Sequence, residues 1–127
     1  MVPTIKTKSY RDSIDKIGDG IRLLIMRKPR GVKRDKFDIK MIELSPSIEL
    51  LDAWNKGRIT EDDFRTTFLG QMVNNKKERG IEKIWELHSK LSCEIITLLC
   101  KEPEGEFCHR HIVKELVENP QQLIDLL

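Results

Sequence analysis

The sequence predicts an α/β fold: a small, mostly parallel sheet flanked by helices, three-layered and Rossmann-like. Three observations predict it. Short runs rich in β-branched and apolar residues, at 2–8, 21–26 and 94–100, have strand length and turn residues at their ends. Segments of helical period lie between the second and third runs and again after the third. The runs at 21–26 and 94–100 are nearly continuous in apolar residues rather than alternating, as expected of strands covered on both faces.

Taken in order, Val2 to Lys8 alternates and suits a first strand. Ser9 to Gly20 has no sustained period, and Gly18-Asp19-Gly20 signals a turn. Ile21 to Met26 forms the second strand. Arg27 to Lys36, with six bases and one acid, is a loop because Pro29 and Gly31 interrupt it. Ile39 to Leu44 either adds a short strand or leads into Ser45-Pro46-Ser47. Ser47 is an N-cap for a helix carrying Ile48, Leu50, Leu51 and Trp54, with acids early and Gly57 closing it. Thr60 and Asp63 have capping-box spacing, with Asp in place of the usual Glu, and Phe64, Thr67, Phe68, Gln71 and Met72 form that helix's packing stripe. The polar stretch Asn74 to Gly80 is expected to break it. Ile81, Ile84, Trp85, Leu87, His88 and Leu91 mark a third helix before the strand at 94–100. Ile112, Val113, Leu116 and Val117 mark a last one from Cys108 to about Glu118. Pro120 opens a final short turn.

At 127 residues, with no linker or internal repeat, residues 1–127 read as a single domain. Apolar content of 39% and charged content of 35% suit a globular protein with a charge-rich surface. The net charge of +2 hides an asymmetry: residues 1–40 carry 12 Lys/Arg against 5 Asp/Glu, leaving 11 against 16 for the remainder. One end of the molecule can therefore face an anionic partner. Three cysteines make no disulfide framework, and without a leader segment the expectation is a reducing, cytoplasmic setting. No apolar run approaches the roughly 20 residues needed to span a bilayer, so no membrane partner is expected. Oligomeric state is not encoded in any readable pattern. No Gly-x4-Gly-Lys-Ser/Thr and no Gly-x-Gly-x-x-Gly occurs, which argues against a nucleoside triphosphatase or dinucleotide enzyme, and no cofactor is called for.

The chemistry-bearing residues gather late in the chain. A strand ending at Cys100 feeds, through a loop holding Pro103 and Gly105, a helix that starts at Cys108-His109-Arg110-His111. Cys108 in a first helical turn beside Arg110 should have a lowered pKa, and His109 or His111 is placed to assist it as a nucleophile. Cys100 and Cys108 are candidates for a redox pair or, with His111, for metal ligands, and the plain alternative is that Cys100 is a core residue. Cys-x7-Cys-His-x-His departs from common zinc spacings, and no metal is assigned. Cys-x5-Arg, the phosphate loop of protein tyrosine phosphatases, is not matched. Cys93, at the other end of the strand, reads as structural. Strands at 21–26 and 94–100, if parallel neighbours, send the basic loop and the thiol loop out of the same sheet edge, where open parallel sheets bind ligands. Arg30, Lys33 and Arg110 would then form an anion receptor completed by helix amides.

Several separated motifs accompany these: Pro29-Arg30-Gly31, then Glu43-Leu44-Ser45-Pro46-Ser47 with Glu49-Leu50 and Trp54, then Phe64-Arg65, Cys100-x-Glu102 and Cys108-His109-Arg110. In this order the chain resembles the domain of unknown function 488 family, small bacterial and archaeal proteins without an agreed activity. Many members carry Trp before Pro-Arg-Gly and some an Asp-Arg pair just upstream; here Lys28 and Ile25-Met26 occupy those places. The resemblance implies an α/β fold with a loop-borne site, and supplies no reaction.

Two function classes follow. One is a small enzyme that holds a phosphate-type anion through Arg30, Lys33 and Arg110 and uses Cys108 and His109 for catalysis. The other is a non-catalytic module whose basic loop, residues 27–36, binds a nucleic-acid backbone or an acidic protein. Aromatic content of only 6%, with no aromatic in the basic run, argues against base stacking and sequence-specific reading.

Overall fold

Among the described residues of the computed structural model run four parallel strands: β1 (Thr4–Ser9), β2 (Ile21–Leu24), β3 (Ile39–Lys40) and β4 (Ile95–Cys100). Four helices accompany them, α1 (Ile48–Asn55), α2 (Glu61–Asn74), α3 (Gly80–Leu91) and α4 (His109–Glu118). The structure describes residues 3–27, 31–74, 80–91, 94–102, 105–119 and 121. The strand order is β1-β4-β2-β3, every pairing is parallel, and the helices flank the sheet, consistent with the expected three-layer α/β arrangement. In register, Ile5 sits opposite Ile96 and Leu23 opposite Leu98, so the last strand in sequence is an interior strand of the sheet. The neighbour relation between the second and the last strand holds.

Strand alternation divides the side chains between the two faces. Ile5, Leu23, Ile25, Ile96, Leu98 and Cys100 join Phe64 and Phe68 of α2, Ile84 of α3, and Ile112, Val113 and Leu116 of α4 in one apolar cluster. On the opposite face the irregular chain on either side of β2 makes polar contacts with the strands. Lys8 pairs with Asp19 at 2.7 Å, the Thr97 hydroxyl donates to the Asp19 carbonyl at 2.7 Å, and Arg22 pairs with Asp38 at 3.3 Å. Both faces of β4 are thus covered, which is why that strand reads as an apolar run broken only by Thr97. Gly20, at φ +61°, lets the chain enter β2 hard against β4: a Cβ there would lie 2.0 Å from the Ile95 carbonyl oxygen.

Local signals explain the helix boundaries. The Ser47 hydroxyl accepts the Leu50 amide at 3.2 Å, and Gln71 of α2 clamps the same serine through both its amide and its hydroxyl. Thr60 and Asp63 form the reciprocal capping box at 3.1 and 3.2 Å, so Asp substitutes for Glu without loss of either bond. Residues 39–44 become a two-residue strand followed by a 3-10 turn at Ile42–Leu44. The expected break after α2 falls largely on residues 75–79, outside the described residues, as do Pro120 and nearly all of the final turn. Among the described residues no helix is long and apolar enough to cross a membrane.

Burial alone would push the Asp19 carboxyl up, but the hydrogen bond and charge of Lys8, together with the Asp15 amide, hold it below the usual carboxylate range. A depressed folded-state pKa contributes stability that is complete above the unfolded value, about 3.9, and is lost as pH falls through the folded one. Asp19→Asn should therefore cost about 1–3 kcal/mol at neutral pH and flatten the acid side of the stability profile in urea melts. Parallel acid profiles for the two proteins would contradict this.

Candidate functional site

Three chain segments end together at the carboxyl edge of the sheet. β4 stops at Cys100. Ile25 prolongs β2 by one residue, its amide donating to the Leu99 carbonyl at 3.1 Å. Cys108, in extended backbone at φ −157°, is the N-cap of α4, and His109 is the first helical residue. Ile112, Val113 and Leu116 fix the rotation of α4 by facing the sheet, and His109 lies in phase with them at i+3, i+4 and i+7.

That rotation puts the imidazole between the two thiols. Nε2 of His109 is 2.6 Å from the Ile25 carbonyl oxygen. A carbonyl only accepts, so Nε2 carries a proton and donates it. Nδ1 then faces the Cys108 sulfur at 3.7 Å, while the Cys100 sulfur lies against the ring, 3.5 Å from Nε2 and 4.0 Å from Nδ1. All three side chains are buried or nearly so, at 0% exposure for Cys100, 4% for Cys108 and 9% for His109, and both thiols are free. Phe68 meets the imidazole edge-on, and Trp54, Phe64 and Phe107 form an aromatic cluster that holds the residue just before the N-cap.

The electrostatics of the pair are asymmetric. A hydrogen bond from the Cys100 thiol, working against burial and aided by the His109 hydrogen bond and charge and the Arg110 amide, brings the Cys108 thiol down to about 3. Burial, then the bond and charge of Cys108, push Cys100 well up. Of the two sulfurs Cys108 is thus the more acidic, and ionising it disfavours ionising Cys100. Burial and the nearby Cys108 charge also raise the Glu102 carboxyl.

A cavity of about 230 Å³ opens onto Cys100 and His109, with Cys108 behind them and not among its lining residues. Arg27, Asn55, Lys101, Glu102 and His109 supply its polar side, and Met26, Pro46 and Leu51 its apolar side, with Cys100 at the base. Arg27 is anchored at the rim by its Nε–H, which donates to the Pro46 carbonyl at 2.9 Å. Arg27, the first residue of the basic loop, thus shares the cavity with Lys101 and Glu102 of the thiol loop.

Of the residues singled out from the sequence, Cys100, Cys108 and His109 come together. Arg110 does not line the cavity: it is fully buried, and its charge acts on Cys100 from behind. His111 is not the third member of the sulfur group, because two residues along a helix rotate it away from His109; its amide donates to the Cys108 carbonyl at 3.2 Å. Lys33 is exposed before the 3-10 turn at Arg34–Lys36 and is not among the residues lining the cavity. Arg30 and Cys93 lie outside the described residues. Sequence reasoning missed Arg27 and Glu102 as site residues. Their signals were position: Arg27 directly follows an apolar strand, and Glu102 stands two residues past Cys100.

Cys100, Cys108 and His109 offer three soft donors within 4.8 Å of one another. A closed zinc site needs four ligands, and among the described residues no other His, Cys or carboxylate joins the group.

A family model described as the active DUF488-N3 subclade, DUF488-N3a, matches residues 5–121. No curated protein and no solved structure matches the chain.

With Cys108 lowered and Cys100 raised, alkylation by iodoacetamide should fall on Cys108, at a rate nearly flat from about pH 5 to 8, whereas an ordinary thiol speeds up toward its pKa near 8.5. His109→Ala should restore the ordinary pH dependence and slow the reaction at about pH 6 by tenfold or more. Equal labelling of both thiols, read by peptide mass spectrometry, would contradict the asymmetry.

Proposed function

The chain belongs to the domain of unknown function 488 family, and from that premise we propose that it is a small thiolate enzyme acting on a small, oxyanion-bearing electrophile. Cys108 is the nucleophile. His109 carries the proton that the leaving group requires, and the Nε2 bond to Ile25 holds its ring in the orientation that presents Nδ1 to the sulfur. Arg27, with Lys101 beside it, takes the oxyanion, of phosphate or carboxylate type. The apolar wall of Met26, Pro46 and Leu51 accepts the rest of the substrate.

One observation carries the reading: a buried imidazole, pinned through one nitrogen and with its other nitrogen on a sulfur, itself lines a cavity that an arginine also lines. The subclade's description as active agrees with it. Two free thiols suit a reducing, cytoplasmic setting. In this reading the anion receptor expected at Arg30, Lys33 and Arg110 is centred on Arg27 instead.

The binding-module alternative draws less support. Arg34 lies over the Phe37 ring and donates to the Phe37 and Asp38 carbonyls, and Lys36 donates to the Asp12 carbonyl. Those bases are engaged by their own chain, although Lys33 remains exposed.

Paired alkylating agents test the anion role. Iodoacetate should react with Cys108 faster, relative to iodoacetamide, than either does with a free thiol. Arg27→Ala should lower that ratio about fivefold, the size of an interaction of about 1 kcal/mol. An unchanged ratio would remove Arg27 from substrate binding.

A further inference from the structure

Cys100 has no role in the reading above beyond donating a hydrogen bond. Its placement asks for more. It is the last residue of an interior strand and fully buried, yet it forms part of the cavity base and its sulfur lies within 4.8 Å of the Cys108 sulfur. A disulfide needs that gap to close to about 2.05 Å. Cys108 is the member free to move. It is an N-cap in extended backbone, and rotation about its Cα–Cβ bond moves the sulfur without disturbing the strand ladder or the bond that its carbonyl accepts from the His111 amide. Seven residues separate the two cysteines, so the ring that closes is short and local.

We propose that the site is a dithiol centre, with Cys100 as the resolving thiol, and that its electrophile is a small disulfide bearing a carboxylate. This rests on the thiolate reading and narrows it. The cavity of about 230 Å³ is large enough for such a molecule, with an apolar wall for its methylenes and Arg27 for its carboxylate.

The steps balance without another reactant. Nδ1 of His109 takes up the Cys108 thiol proton and the thiolate attacks one sulfur of R–S–S–R; the substrate S–S bond breaks, a Cys108–S–S–R bond forms, and the departing RS⁻ takes that proton from Nδ1 to leave as RSH. Loss of the negative charge on Cys108 removes the main charge that keeps Cys100 protonated. The Cys100 thiol then passes its proton to His109 and attacks the Cys108 sulfur. The Cys100–Cys108 bond forms, the mixed disulfide breaks, and the second R–S⁻ leaves. The protein dithiol is oxidised and the substrate is reduced to two thiols; an external thiol resets the centre by the reverse exchange.

The test uses the reduced full chain and dithiodipropionate, with the uncharged hydroxyethyl disulfide as comparator. Two thiols should be released per chain, the protein should lose two hydrogens and retain no adduct, and peptide mapping should find Cys100 joined to Cys108. Cys100→Ser should release one thiol and stop with the propionate adduct on Cys108. Cys108→Ser should react at least tenfold more slowly, and dithiodipropionate should outpace the neutral disulfide in the wild type. A persistent adduct on wild-type Cys108, or a bridge through Cys93, would overturn the resolving role. So would stoichiometric zinc in the purified protein held by the two sulfurs. The wild-type stoichiometry decides the matter even if Cys100→Ser does not fold. Rapid alkylation of Cys108 combined with a persistent adduct would leave the thiolate reading standing; slow alkylation would remove both.

Discussion

The bond from His109 Nε2 to the Ile25 carbonyl, at 2.6 Å, is the contact on which the site depends. It joins the end of β2 to the start of α4, two places 84 residues apart in sequence. It also fixes chemistry. Because the carbonyl can only accept, the ring's other nitrogen is the one turned to Cys108. A buried carbonyl without this donor would itself be costly, by about 1–3 kcal/mol, so fold stability and tautomer choice are coupled through one hydrogen bond.

The surrounding structure makes that bond geometrically necessary. Parallel pairing of β2 with β4 brings Ile25 alongside Cys100, and the Leu99 carbonyl holds Ile25 in line past the last paired residue. Phe68 closes off the imidazole's edge, and the Trp54, Phe64 and Phe107 cluster secures the chain just ahead of Cys108. A thiolate in such surroundings would be expensive to bury alone. It is retained because a thiol, an imidazole and a helix amide all converge on it. Its charge then acts outward, raising Glu102 at the cavity wall. The site holds one anion deep in the protein while a cation, Arg27, stands at the opening.

Much of this was legible in the sequence, for identifiable reasons. Apolar runs of strand length, the Ser47 cap and the Thr60–Asp63 box each rest on local chemistry that operates regardless of the fold. The nearness of the basic and thiol loops followed from parallel pairing of two distant strands, and the sheet has that pairing. The choice between His109 and His111 was legible too, had the phase of Ile112, Val113 and Leu116 been extended back one turn. What was not legible concerns side-chain reach. Arg110 looked like an anion ligand because it neighbours Cys108 in sequence, yet the same helix phase that brings His109 to the sulfurs buries Arg110 against the core. Lys33 looked equivalent to its neighbours in the basic run, but the chain there has already turned back toward β3, where the Asp38 amide meets the Arg22 carbonyl. Arg27, two residues past Ile25, stays at the edge where the ligand cavity opens.

The resulting picture is of a sheet edge that serves one small group of atoms: a pinned imidazole, a charged sulfur and a second sulfur kept neutral by the first. Nitrogen-15 NMR of the His109 ring tests the pinned imidazole directly. The account predicts that Nε2 stays protonated throughout the neutral pH range and that Cys108→Ser perturbs the Nδ1 resonance far more than the Nε2 resonance. An unprotonated Nε2, or an Nδ1 indifferent to the loss of the sulfur, would contradict it.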